Sequence, residues 1–486
     1  FFWYANDLSI SGTFPDNYSF PNNGWPTFLS IFFHFFSSEN FLDYMDLQRY
    51  VTIIISVVTI IPIFVLCRKF CGSGLSLLGV LFFVFQPRII ENSLIGLSEP
   101  LFILLELSCL VLFLQNSWKL KYISFAFLAL ACLVRFEGIV LILPLSVLFL
   151  LKNRGDKTTI LRFLIAITIF LSVLLPMLFV RMDTLGYDGV FSHSVSAVEA
   201  YSSGTKIVDV AETTFTLIKS TALAVFPIFF IFLPLGIFGF FRNRNFDKYV
   251  ILSFLIFMSL PIIYVSIREI LEPRYFLTLF PILSLFSIYT IKEITKKFNR
   301  TKWVTIVFAI VILTTSIVYL DYNKTDYEHQ REAYLVGLEV HKRTSVINNY
   351  GHPEVTYVHH KIDAASNLGT FPVLNSEVQQ KIKLLRVFDY DTCLKENALT
   401  KCSGKGFGGI KFNYTSLSAF IDFGKNEGLT HIVVDNNENR PQFLKDVYKN
   451  EEKFPYLTKI YDSSEEGYDY HLKIFKIDYE KFESAK

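Results

Sequence analysis

Charged residues are scarce in the first two-thirds of this 486-residue chain. Residues 1–320 contain 24 Lys and Arg and 19 Asp and Glu, whereas the shorter stretch 321–486 contains 22 and 25. The whole chain is 52% hydrophobic and has 51 phenylalanines, far more apolar surface than a soluble domain requires. The scarcity of charge therefore excludes an ordinary soluble domain for residues 1–320 and predicts a bundle of helices that faces lipid.

The charges that are present divide the apolar part of the chain in a regular way. Sixteen of its 24 Lys and Arg lie in five basic gaps, and the others lie with most of the acids in the alternate gaps. Because basic loops stay in the cytoplasm, this pattern predicts a polytopic α-helical protein of the cell membrane, with residues 1–48 and 321–486 outside the cytoplasm. Ten spans are expected, at about 49–67, 72–87, 98–116, 119–134, 138–151, 160–180, 222–241, 249–267, 275–291 and 303–320.

The beginning of the chain favours one further span. Phe1 is placed outside the cytoplasm, and no signal peptide precedes it. We therefore expect an N-terminally truncated chain whose complete form has eleven spans. The expected domains are a first extracytoplasmic loop with interfacial helices (1–48), a transmembrane bundle (49–320) and a soluble extracytoplasmic α/β domain (321–486).

Cysteine and histidine are too few for a metal site. The six Cys and nine His form no set with metal-ligand spacing, so we predict neither a metal nor another cofactor. Cys393 and Cys402 lie nine positions apart in the tail, and an extracytoplasmic location predicts a disulfide between them. The acids of the tail outnumber its bases, which gives no support to nucleic acid binding.

Charged residues at the predicted outer ends of the spans are the candidates for chemistry. Ionisable side chains at membrane depth usually face a polar cavity and pair there. Each one alone is equally well explained as a solvated interfacial side chain, but the presence of both signs in the short loops favours a shared outer cavity. The candidates are Asp7, Arg88, Glu99, Arg135, Glu137, Glu269 and Arg274.

Two features of the sequence predict more specific roles for individual residues. Glu106 lies two helical turns after Glu99, on the same face, and its simplest role is that of a hydrogen-bonded acid that holds helices together. The segment Glu272-Pro273-Arg274-Tyr275 begins the ninth span, where Pro273 suits the first turn of a helix. The Arg274 guanidinium is then placed to bind a phosphate at the membrane surface, with a plain lipid anchor as the alternative.

Four short motifs occur in order along residues 1–320 and on the predicted outer side. They are YA-x-x-L-x-x-x-G-x-x-P (4–15) followed by N-x-G-W-P (22–26), SLIGLSEPLFILL (93–105), LVRFEGIVLILP (133–144) and LEPRYFLTLFPILSL (271–285). Together they resemble the outer-loop motifs of GT-C-type glycosyltransferases, which include the protein O-mannosyltransferases and the aminoarabinose transferases.

The resemblance implies a reaction and a set of residue roles. Such enzymes transfer a sugar, with inversion, from a polyprenyl- or dolichyl-phosphate carrier in the membrane to a protein, lipid or glycan acceptor. A loop acid acts as general base, and an Arg contacts the lipid phosphate, which points to Arg274 with Tyr275. The family's acid aligns just before Phe1, so Asp7 is the nearest substitute and Glu99 the next candidate. The remaining substrate-binding candidates are Arg88, Arg135, Glu137 and Glu269.

Two other functions stay open at this point. A transporter of a lipid-linked glycan would place paired charges and broken helices near mid-membrane, where Glu106 is the single charge found. A non-catalytic subunit of a membrane glycosylation assembly would use residues 321–486 as a binding module. The absence of an aligned first-loop acid is compatible with that second alternative.

Overall fold

Fifteen α-helices and two 3₁₀-helices form the described part of the first 324 residues. This part is one of two compact units in a computed structural model of the chain, Phe1–Lys324 and Thr325–Lys486. The structure describes residues 1–15, 22–38, 41–152, 154–192, 210–243, 245–267, 273–298, 301–323, 416–426, 430–436 and 442–486, with short pieces between 332 and 385. Glu269, Cys393 and Cys402 lie outside the described residues, so the predictions made for them stay predictions.

The helices of the first unit follow one another with short connections. The α-helices are α1 (Phe2–Ser11), α2 (Gly24–Phe35), α3 (Phe41–Val58), α4 (Ile60–Cys71), α5 (Ser73–Val84), α6 (Pro87–Ile95), α7 (Glu99–Phe113), α8 (Trp118–Val134), α9 (Ile142–Lys152), α10 (Thr159–Leu185), α11 (Val210–Val225), α12 (Phe229–Phe241), α13 (Phe246–Ile267), α14 (Phe280–Phe298) and α15 (Thr301–Tyr322). The 3₁₀-helices are η1 (Phe136–Leu141) and η2 (Pro273–Leu279).

The described helices include fewer complete spans than the ten expected. Five are long and apolar enough to cross a membrane by length and composition, and α5 with α6, bent by 53°, would make a sixth. Helix α7 has 15 residues, or about 22 Å, which is shorter than a hydrocarbon core of about 30 Å. The expected ten spans therefore stay a prediction. The five are Asp43–Cys71, Thr159–Leu185, Phe246–Ser266, Pro273–Thr295 and Lys302–Tyr322.

The break between α5 and α7 follows from the local sequence. Pro87 disfavours a helical conformation in the residue before it, and Gln86 is extended, with φ −69° and ψ 118°. Pro87 then begins α6, where a backbone N–H is not needed. Gly96 ends α6 with φ 81°, a conformation that favours glycine, and Glu99 begins α7 three residues later.

Helix α8 shows that two groups of charges lie at opposite ends of the bundle. Lys121 is in its first turn, and Arg135 directly follows its last residue. The fourteen residue steps from Lys121 to Arg135 correspond to a rise of about 21 Å along the helix. Lys121 and Arg135 are therefore separated by about two-thirds of a bilayer core.

The second unit contains a mixed sheet and short helices. Its strands are β1 (Val346–Ile347), β2 (Pro353–Glu354), β3 (Thr356–His359), β4 (Lys383–Leu385), β5 (His431–Asp435), β6 (Leu457–Asp462) and β7 (Leu472–Ile477). The five-stranded sheet has the order β4-β3-β5-β7-β6, with β3 parallel to β4 and β5 and the other pairs antiparallel. Its helices are α16 (Leu417–Asn426), α17 (Gln442–Lys449) and α18 (Tyr479–Ser484).

The core of this second unit lies between the sheet and its helices. Ile432 of β5 and Phe475 of β7 are fully buried, and they belong to one apolar cluster with Phe420 of α16 and Val447 of α17. The opposite face of the sheet is also covered, because Val433 of β5 and Ile474 of β7 belong to a second buried apolar cluster. Whether this unit lies outside the cytoplasm stays a prediction.

Candidate active site

Arg135 joins two acidic side chains at one end of the helical bundle. Its Nη1 donates to Glu99 Oε1 at 2.5 Å, and its Nη2 donates to Glu137 Oε1 at 2.8 Å. All three side chains are largely withdrawn from solvent, with exposed fractions of 12%, 3% and 9% for Arg135, Glu99 and Glu137. The planar guanidinium thus holds two buried carboxylates in a fixed geometry. We name Glu99, Arg135 and Glu137 the charged triad.

Local sequence places the three residues together. Glu99 is the first residue of α7, and α7 packs along α8, whose end leads into Arg135. Arg135 is extended, with φ −144° and ψ 124°, and η1 then carries Glu137 back beside it. Gly138 allows this tight turn, because a Cβ there would lie 3.2 Å from both the backbone nitrogen of Cys132 and the ring of Phe102. A side chain at position 138 would therefore require its neighbours to move by a few tenths of an ångström.

Each acid of the triad has one further oxygen. Glu99 Oε2 and Glu137 Oε2 are buried and have no hydrogen-bond partner among the described residues. A buried carboxylate oxygen left without a donor is costly, and such atoms are often found where a ligand or water supplies the hydrogen bond. Sugar hydroxyls are donors of the required kind. The triad therefore offers two acceptors to a hydroxyl-rich ligand.

The charges of the triad stabilise one another. Burial alone would lower the pKa of the Arg135 guanidinium, but the negative charges of Glu137 and Glu99 outweigh burial. The pKa of Arg135 is consequently raised above its ordinary value, and the residue stays charged at all physiological pH values. A permanent positive charge at this position is suited to stabilise negative charge that develops on a bound substrate.

Tyr275 and Arg274 lie next to the triad, at the start of η2. The Arg135 guanidinium carbon is 5.3 Å from the centre of the Tyr275 ring, and that of Arg274 is 5.8 Å from the same ring. Unlike Arg135, Arg274 is exposed. Helix η2 also packs against α7, which begins with Glu99. The structure therefore brings together Glu99, Arg135, Glu137, Tyr275 and Arg274 of the predicted site residues.

Arg88 forms a different set of contacts. Its Nη1 is 3.1 Å from Glu91 Oε2 one helical turn along α6, and its guanidinium carbon is 5.7 Å from the centre of the Tyr319 ring of α15. Its Nε is buried without a hydrogen-bond partner among the described residues. Helix α6 packs against η2, so Arg88 belongs to an element adjacent to Arg274. A role for Arg88 in substrate binding stays a prediction.

Asp7 lies in α1, in the segment that precedes α2. The Asp7 side chain is buried, and α1 packs on α2. Helix α2 in turn contacts α8, and its first residue, Gly24, lies against the backbone of Leu133 and Val134. The first loop is thereby fixed next to the segment that leads into Arg135. Asp7 is thus part of a loop that adjoins the triad, and its role stays a prediction.

No metal centre is formed in the part of the chain that the structure describes. Within those residues there is no group of three or more His, Cys, Asp or Glu side chains arranged to hold a metal ion. Cys67, Cys71, Cys109 and Cys132 are free thiols in or beside the helices of the bundle.

Comparison with known protein families identifies the family of the chain. A family model described as "Predicted membrane protein (DUF2079)" matches residues 28–349. The chain belongs to this family. A comparison with curated proteins finds no match.

Solved structures with a similar fold are glycosyltransferases of the GT-C type. ArnT from Cupriavidus metallidurans, in a crystal structure bound to undecaprenyl phosphate, is 10% identical over 98% of this chain and 92% of its own, with a TM-score of 0.56. The apo oligosaccharyltransferase of Archaeoglobus fulgidus is 12% identical over 89% of this chain, with a TM-score of 0.53. This chain spans 65% of that protein, which is less than two-thirds. The resemblance to the GT-C fold that the motifs indicated is confirmed.

Arg181 is a candidate that the sequence analysis missed in this member of the family. It lies one turn before the end of α10 with only 2% of its surface exposed, and its guanidinium carbon is 5.4 Å from the centre of the Tyr187 ring. Asn23, of the first loop, donates to the Tyr4 hydroxyl at 3.3 Å and contacts the sulfur of Met177, one turn before Arg181. Helix α10, which carries Arg181, therefore contacts the same loop that Gly24 anchors on α8.

We expect the Gly24→Ala variant to be less stable than the wild type. A Cβ at this position would lie 2.5 Å from the Leu133 carbonyl oxygen, and neither backbone can yield without moving the helix (α2 or α8) to which it belongs. Such overpacking costs about 1–3 kcal/mol. Gly74→Ala in α5 is the matched control, because nothing lies within 4 Å of its Cβ position. Thermal unfolding of the purified variants measures the difference, and equal midpoints for the two would contradict the tight α2–α8 contact.

Proposed function

We propose that this chain is a GT-C-type glycosyltransferase that moves a sugar from a polyprenyl- or dolichyl-phosphate carrier to an acceptor on the extracytoplasmic face, with inversion. The observation that carries the proposal is the charged triad, in which one buried guanidinium positions two carboxylates that each have a further buried oxygen. The ArnT structure bound to undecaprenyl phosphate supports a lipid-linked donor for a chain of this fold.

Glu99 contacts the reacting hydroxyl in this proposal. Its Oε1 is fixed by Arg135, so that Oε2 is presented in one orientation and can accept a hydrogen bond from the acceptor hydroxyl. Glu137 Oε2 does the same for a hydroxyl of the sugar. As the acceptor oxygen attacks the anomeric carbon, its proton passes to a carboxylate, either Glu99 or Asp7 of the adjoining first loop.

The lipid phosphate leaves with the pair of electrons of the broken glycosidic bond. Negative charge therefore grows on the phosphate, and a guanidinium beside it lowers the energy of the transition state. Arg274 is assigned this contact, because it is exposed next to the triad and shares the Tyr275 ring with Arg135. Arg88, on the adjacent helix α6, and Glu269 are assigned supporting contacts to the substrate.

The Arg274→Ala variant is expected to bind the lipid carrier more weakly while its fold is unchanged. A hydrogen bond to a charged group contributes about 1.5–3 kcal/mol, which corresponds to a decrease in kcat/KM for the polyprenyl-phosphate sugar of roughly 10- to 100-fold. Arg242→Ala is the matched control, since Arg242 is an exposed arginine in the basic gap that follows α12. Binding and turnover of a polyprenyl-phosphate sugar by purified protein measure both.

Two outcomes would contradict the proposal at different levels. If both variants and the wild type turn the donor over equally well, the phosphate does not contact Arg274, and Arg88→Ala becomes the variant to measure. If the wild-type protein neither binds nor turns over any lipid-linked sugar, the transferase assignment itself is wrong, and a non-catalytic role in a glycosylation assembly is the better hypothesis.

A further inference from the structure

The basic end of the bundle contains a cluster of cations that the proposed reaction does not use. Four positively charged side chains from four different helices lie near the Asp247 carboxylate, and two of them contact it. They are Lys69 (α4), Lys121 (α8), Lys152 (α9) and Arg162 (α10). We name these four residues the basic cluster.

The residues of the basic cluster lie close to Asp247 or to one another. Asp247 Oδ2 is 3.0 Å from Lys69 Nζ, and its Oδ1 is 3.6 Å from Lys152 Nζ. Lys121 lies close enough to Lys152 and Arg162 for their positive charges to repel its own. The Lys121 nitrogen and the Arg162 guanidinium carbon are 4.3 Å and 4.1 Å from the centre of the Trp118 ring, which brings both cations to one aromatic side chain.

Two further lysines extend the positive surface. Lys248 follows Asp247, and its ammonium group donates to the carbonyl of Phe240. Lys292 of α14 donates to the carbonyl of Phe70, the residue after Lys69, at 3.2 Å. Lys121 and Lys248 are only 3% and 7% exposed. The cations are thus not spread over a surface but collected between helix ends.

Negative charge within the described residues does not balance this collection. The six cations face Asp247, Asp156, which pairs with Arg162 at 2.7 Å, and Glu293, next to Lys292 in α14. Like charges held close together in a partly buried region repel, and the repulsion is relieved when an anion binds between them. The positive-inside rule accounts for cations on this side of a membrane, but it does not require lysines of two different helices to meet at one carboxylate with further cations close by.

We infer that the basic cluster binds the phosphate head group of an anionic membrane lipid. Several ammonium and guanidinium donors around one site suit a phosphate, which has several acceptor oxygens. The lipid source is favoured by the adjacent surface of α10, where Ile160, Leu161 and Leu164 are 69%, 61% and 55% exposed. An acyl chain can lie along these side chains while its head group meets Arg162. The site is at the opposite end of α8 from the charged triad and is separate from the proposed reaction.

The test compares two double variants of the full-length chain. Lys152→Gln with Arg162→Gln removes two cations of the cluster and leaves the Lys69–Asp247 pair intact. Lys119→Gln with Arg154→Gln is the matched control, because it removes one exposed Lys and one exposed Arg at the same end of the bundle. Native mass spectrometry of the purified protein measures the Kd for phosphatidylglycerol and for phosphatidylcholine. Thermal unfolding without added lipid checks that both variants fold.

The expected result is a selective loss of anionic lipid binding. The cluster variant should bind phosphatidylglycerol roughly 30-fold more weakly than the wild type, with phosphatidylcholine binding unchanged. The control variant should stay within about 3-fold of the wild type. If both variants bind phosphatidylglycerol equally weakly, the inference is overturned, because the lipid is then attracted by the overall surface charge and not by the basic cluster. Competition by inorganic pyrophosphate at concentrations equal to the lipid would overturn the assignment of a lipid in favour of a soluble phosphate.

Discussion

A protein in which Glu99 is replaced by Gln is expected to fold normally and to lose sugar transfer by about 10²- to 10⁴-fold. The amide keeps the size and shape of the carboxylate, and its oxygen can still accept the hydrogen bond from Arg135. The substitution removes the negative charge at Oε2, the buried oxygen that accepts a hydrogen bond from the hydroxyl of the acceptor substrate in the proposed reaction. The expected loss is therefore mainly in kcat, whereas the KM for the lipid-linked donor should change little.

A matched control lies on the same helix. Glu106→Gln makes the same chemical change on the same face of α7, about 10 Å further along, and Glu106 is also buried. It is expected to keep wild-type turnover, because Glu106 makes no contact with Arg135 in the described structure. Single-turnover kinetics with a polyprenyl-phosphate sugar separate binding from transfer for both variants.

The competing assignment of the proton acceptor gives the opposite pattern. If Asp7 takes the proton, Asp7→Asn loses transfer while Glu99→Gln retains most of it. Loss in both variants would indicate that one acid orients the hydroxyl and the other accepts its proton. Retention of transfer in both would show that neither acid takes part in the reaction, and the proposed mechanism would then be wrong.

The side of the bundle on which each charge lies predicts which residues belong to the site, but it does not predict which of them form ion pairs. Glu99, Arg135 and Arg274 were expected near each other because isolated charges at the same ends of apolar helices share a polar region. The sequence does not contain the information that Arg135 pairs with Glu99 and Glu137 whereas Arg88 pairs with Glu91. Pairing depends on how α7 packs on α8 and where η1 turns, which are tertiary properties.

Arg181 shows why one buried residue was not found. The hydropathy pattern ends the span at about residue 180, which makes an arginine just beyond it resemble a side chain that reaches the head groups. Helix α10 continues to Leu185, and the last turns pack against the first loop instead of ending at the surface. Met177, one turn before Arg181, contacts Asn23 of the first loop across more than 150 positions, and a single sequence carries no signal for such a contact.

The Arg135→Ala variant is expected to lose both activity and a large part of its stability. Without the guanidinium, Glu99 and Glu137 are two buried carboxylates of like charge with no cation between them. Removal of one partner of a buried ion pair costs about 3–5 kcal/mol, because the remaining charge is left without compensation. Arg135→Lys should lie between wild type and Ala, since one ammonium group cannot form the parallel contacts of a guanidinium to two carboxylates.

A triple variant separates the structural role of Arg135 from its role in the reaction. Arg135→Ala combined with Glu99→Gln and Glu137→Gln has no uncompensated buried charge, so its thermal midpoint should recover towards that of the wild type while transfer stays abolished. If Arg135→Ala alone is as stable as the wild type, the carboxylates are solvated and the triad is not a buried unit. If the triple variant recovers transfer together with stability, the three charges serve only the fold, and the chemistry must lie elsewhere along the outer end of the bundle.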